Sequence, residues 1–78
     1  MGTDIKNIKK EELQVGHFYR LYIHYNNSVK IAEFRLKDHN NYLFRTINKD
    51  TLCLGFLYIT EFEIIEELSE SDLILELI

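Results

Sequence analysis

Proline is absent from these 78 residues and glycine occurs only three times, so the chain has to turn on Asn, Asp and Ser. Gly16 and Gly55 mark backbone bends. Cys53 is the only cysteine, which excludes an intramolecular disulfide and any Cys-rich zinc site. Its setting, Leu52-Cys53-Leu54, suits a buried, unreactive thiol. No apolar run approaches the length needed to span a bilayer, and Met1 to Lys10 is polar with no apolar signal core. The expectation is a soluble, cytoplasmic protein with no membrane association.

Catalytic patterns are missing too. Serine occurs only at 28, 69 and 71, in turn or cap positions, without a Gly-x-Ser-x-Gly elbow, and no Gly-rich phosphate loop is present. His17 and His24 are an odd number of positions apart on one strand and face opposite sides, so they cannot share a metal. His39 lies in a turn. The chain is expected to be no enzyme and to hold no metal or cofactor.

Bases are missing from the last third. All nine Lys and Arg lie between Lys6 and Lys49, against six acids up to Thr60, whereas Glu61, Glu63, Glu66, Glu67, Glu70, Asp72 and Glu76 follow with no base among them. The net charge of −4 therefore hides a segment at +3 followed by one at −7. Such asymmetry points to partners rather than to fold.

What is there is a β-pattern. Hydrophobic residues make up 46%, including five Tyr and five Phe, enough for one small core. Tyr19, Leu21, Ile23 and Tyr25 alternate with Phe18, Arg20, Tyr22 and His24, so the first set faces a core and the second faces away. Asn26-Asn27-Ser28 turns the chain, Asn tolerating the positive φ that hairpin turns need. The returning run changes phase near Ile31-Ala32, from Val29 and Ile31 to Ala32, Phe34 and Leu36, as a β-bulge or bend would make it do. Lys37 to Asn41 is a second turn and Tyr42 to Ile47 a third strand. A fourth, Thr51 to Ile59, is apolar on both faces and reads as covered on both.

Glu61 to Leu68 reads as a closing strand with Phe62, Ile64 and Leu68 inward and a local irregularity. The alternative is a helix capped by Thr60, with Glu63 completing a capping box. Ser69-x-x-Asp72 signals a helix start before Leu73, Ile74, Leu75, Leu77 and Ile78. Apolar area left in water costs about 25 cal/mol per Å², so this tail has to dock, on the chain itself, on a partner or on a second copy.

The spacing predicts a mainly β protein: a small five-stranded bent meander with short terminal helical segments. It is one domain over 1–78, with a polar lead (1–12), a barrel (13–68) and an acidic, apolar C-terminal segment (69–78). In this order of elements, with Val15-Gly16 opening the first strand and an Ile/Glu-rich last strand from Phe62, the chain resembles the SH3-like and Sm-like small barrels over Leu13 to Leu68. Asp38-His39-Asn40-Asn41 resembles the base-binding loop of Sm-like proteins, but Gly55 has no flanking base where they carry a basic-Gly turn. The resemblance implies a non-catalytic binding module.

Two functional expectations follow. The first is a protein-binding regulatory module, such as a phage or mobile-element inhibitor of a host nucleic-acid enzyme. It would contact a basic or nucleic-acid-binding protein through Glu61, Glu63, Glu66, Glu67, Glu70, Asp72 and Glu76, with homo-oligomerisation through the apolar C-terminus. The alternative is an Sm-like or OB-like single-stranded nucleic-acid binder, in which Phe18, Arg20, Tyr22 and Arg45 stack bases and neutralise phosphates. The acidic segment opposes the second by repelling phosphate.

Overall fold

The computed structural model describes residues 8–47 and 54–77. Expectations for 1–7, 48–53 and 78, including a buried Cys53, lie outside the described residues. Five antiparallel strands, β1 (Phe18–Ile23), β2 (Ser28–Asp38), β3 (Asn41–Ile47), β4 (Leu54–Ile59) and β5 (Phe62–Leu68), form one sheet in the order β4-β3-β2-β1-β5, and a helix, α1 (Glu70–Leu77), follows. The mainly β, five-stranded meander is as expected, and the ambiguous segment after Glu61 is a strand.

Period-two burial produces the core. Tyr19, Leu21 and Ile23 of β1 are fully buried, with Ala32 and Phe34 of β2, Tyr42 and Phe44 of β3, Leu57 and Ile59 of β4, and Phe62 of β5. Phe62, at the start of one edge strand, packs edge-on against Phe44 and Tyr42, with ring centroids 5.2 Å away in both cases. This draws the two ends of the meander toward each other and curls the sheet. Lys10, in a 3-10 turn over Lys10–Glu12, covers that end: its Nζ lies 4.4 Å above the Phe62 ring and donates to the Thr60 carbonyl at 3.1 Å. The favourable geometry of a cation over an aromatic face explains why a lysine serves there.

The β1-β2 hairpin departs from expectation at its tip. A 3-10 turn over His24–Asn26 ends β1 at Ile23, and Asn27 takes φ +51° before Ser28 pairs with Ile23. Tyr25, expected inward, is 72% exposed, because it belongs to the turn and no longer obeys strand parity. In β2, Ala32, Glu33 and Phe34 are buried in succession. The bulge lies between Phe34 and Leu36, opposite β3, not at Ile31-Ala32. Before it the strand pairs with β1 and after it only with β3, so Leu36 is carried outward, opposite Leu43.

A third correction concerns β4. Leu57 and Ile59 are buried but Phe56 and Tyr58 are 72% and 52% exposed, so the strand is covered on one face only. At the C-terminal side Ser69 and Asp72 form the expected reciprocal cap: the Asp72 N–H donates to Ser69 Oγ at 3.2 Å, and the Ser69 hydroxyl and N–H both donate to the Asp72 carboxylate. Such a box satisfies helix-end donors that would otherwise lack partners.

Candidate interaction surfaces

Phe18, Arg20 and Tyr22 lie on the outer face of β1, as expected, and β5 runs beside them. Glu63 pairs with Tyr22 and Glu66 with Arg20, the register shifting between them so that Ile65 has no partner. Positions 63 and 66 differ by three and would face opposite sides of a regular strand. The extra residue puts both carboxylates on the outer face. Glu66 Oε2 accepts from Arg20 Nε at 2.7 Å, and Glu63 lies 3.2 Å from His24 Nε2. His17 Nδ1 meets Glu67 at 2.9 Å.

α1 packs back on β5 and adds a second carboxylate, Glu76, to the Arg20 guanidinium. The bond to Glu66 and then that to Glu76 raise the Arg20 pKa above its ordinary value, locking in the positive charge. Leu68, expected in the main core, pairs with Phe18 across the strands and is buried apart from the main cluster. Tyr22 is tied by its hydroxyl to Asn27 Oδ1 at 2.7 Å. The aromatic and basic face of β1 is thus lined with the chain's own carboxylates.

Arg45 sits in a second cluster, on β3. Glu33, only 7% exposed, is directly opposite it on β2, with Arg45 Nη2 2.9 Å from Oε1 and Arg35 Nη1 2.9 Å from Oε2. The Arg45 contact is ionic but poorly aligned as a hydrogen bond, and Arg45 Nε is buried without a partner. One carboxylate between two guanidiniums leaves the cluster with a single net positive charge.

Of the seven acids after Thr60, Glu63, Glu66, Glu67 and Glu76 each face a base of the chain, and Asp72 caps the helix. Glu61 and Glu70 are exposed. Among them lie exposed aliphatic residues, Ile65, Ile74 and Leu75. The split in charge along the sequence is therefore an internal pairing in part, with an acidic and apolar remainder.

One surface was missed. Phe56 is opposite Arg45 and Tyr58 is opposite Leu43, which is opposite Leu36, giving an outward band across β2, β3 and β4. Tyr25 joins residues 56–61 in lining a groove of about 500 Å³ along β4. The sequence alone does not show this band, because β4 is left at an edge of the sheet only by β5 pairing with β1 instead of with β4.

Among the described residues no helix is long and apolar enough to cross a membrane, and no three His, Cys, Asp or Glu side chains are gathered as a metal ion would require. Comparison with family models, with curated proteins and with solved structures finds no match to this chain.

Proposed function

We propose that this protein is a non-catalytic binding module that offers the acidic and apolar surface of β5 and α1 to a basic protein partner. The observation that carries the reading is the exposure of Ile65, Ile74 and Leu75 on two packed elements whose only charges are carboxylates. Apolar side chains beside carboxylates are what a partner with a basic rim and an apolar centre would bury, the charge steering encounter and the apolar contact holding it. A nucleic-acid-binding protein has such a rim, and a regulatory role by occupying its phosphate-binding surface follows, as for an inhibitor encoded by a phage or mobile element.

Single-stranded nucleic acid is the weaker reading. Arg20 is held by two carboxylates and Arg45 shares Glu33 with Arg35, so phosphate would have to displace partners already in place. The test is affinity capture from host extract with the full chain and with a Glu70→Lys variant, before and after nuclease. Basic proteins retained by the native chain, resistant to nuclease and lost with the variant are expected. Capture that disappears with nuclease, or that ignores the charge reversal, would overturn the proposal.

A further inference from the structure

The sheet has two edges and they are built differently. β5 carries Glu63, Glu66 and Glu67 and a bulge at Ile65, which are among the devices by which natural edges discourage pairing with another chain. β4, Leu54-Gly55-Phe56-Leu57-Tyr58-Ile59, has no charge and no proline, and its register with β3 is unbroken. Its outward Phe56 and Tyr58 are exposed, and Tyr25 joins them in lining the groove along the strand.

We propose that β4 is a self-association edge, pairing antiparallel with β4 of a second copy about a twofold axis through Leu57. Charge selects this occupant. An uncharged strand meets its own copy without the like-charge opposition that two β5 edges would suffer. An axis through Leu57 keeps outward residues opposite outward ones and sets Phe56 against Tyr58 of the second copy, twice. Aromatic pairs of this kind are among the favourable cross-strand contacts.

The exposed parts of Tyr25, Phe56 and Tyr58 amount to about 400 Å² per copy. That is about half of what each partner contributes to a standard interface, so the dimer is a weak one.

Sedimentation equilibrium of the full chain from roughly 1 to 300 µM is expected to show a monomer-dimer equilibrium. Phe56→Lys and Tyr58→Glu, both at exposed positions and checked for folding by circular dichroism, are each expected to weaken it about tenfold or more. Mixing the two variants restores a dimer, because the new lysine then faces the new glutamate. A monomer throughout, assemblies larger than dimers as head-to-tail joining of β4 to β5 would give, a dimer indifferent to either variant, or no recovery on mixing would each overturn the proposal.

Discussion

Arg20 on β1 and Glu76 near the end of α1 are joined by a salt bridge across 56 positions of sequence, and this bond fixes the helix on the outer face of the sheet. Among the described residues few other contacts do so: α1 touches β5 along a short seam and exposes Ile74 and Leu75. A short helix has little stability of its own, so the anchor governs it.

Replacing Arg20 by methionine keeps the apolar stem and removes the charge. Half-exposed ion pairs contribute up to about 1 kcal/mol each. Arg20→Met is expected to lower stability by about 1 kcal/mol, or about 4 to 8 °C in Tm for a domain of this size. Hydrogen exchange over 70–77 should accelerate more than in β1. Unchanged exchange in the helix would show that Glu76 does not hold it.

Glu33 should be among the most sensitive polar positions. It is buried between Arg35 and Arg45, and removing its charge leaves two guanidiniums side by side without their counter-ion. Glu33→Gln is expected to cost about 1 to 3 kcal/mol in urea unfolding at unchanged m-value. Glu33→Ala should cost more, because the amide of Gln still accepts a hydrogen bond. A loss under about 0.5 kcal/mol, the level of ordinary surface substitutions, would place the pair effectively in solvent.

Stability should fall in alkali. The Tyr19 pKa is raised, first by burial and against the bond that its hydroxyl oxygen accepts from the Gln14 N–H at 2.9 Å; Tyr58 is raised by donating to Asp38. Both phenols hold their protons more tightly folded than unfolded. The unfolded chain ionises first, from about pH 10, so the contribution is complete below that pH and is lost as pH rises through the folded values. Urea unfolding from pH 8 to 12 should show this decline, with a shallower slope in Tyr19→Phe. An equal slope in that variant would exclude Tyr19 as a source.

Gly16 tests the backbone. It takes φ +88° with open space where a Cβ would stand, its N–H donates to the Phe34 carbonyl, and the next carbonyl, of His17, accepts from Phe34. Gly16→Ala is expected to cost about 1 to 2 kcal/mol through φ alone, and Gly16→Asn less, since Asn tolerates positive φ better. Thermal unfolding of the two variants decides it; an alanine as stable as glycine would mean that the bend relaxes at no cost.

Strand alternation, turn composition and the Ser69-Asp72 cap are local properties, and the sequence by itself determined them. Tyr19, Leu21 and Ile23 must share a face, as must Tyr42 and Phe44, because side-chain direction in a strand depends only on parity. Tyr25 broke the rule because the chain left the strand after Ile23, two residues earlier, for a 3-10 turn. The bulges after Phe34 and at Ile65 are properties of pairs of strands, and only the tertiary structure decided them. Those irregularities bring Glu63 and Glu66 to one face and carry Leu36 outward, and so decide which carboxylates meet Arg20 and which apolar residues stay in water. Composition determined that the chain carries an acidic end; register, set by strands about forty to fifty positions apart, decided that most of that end is turned on the chain's own bases and that β4 lies at an edge of the sheet.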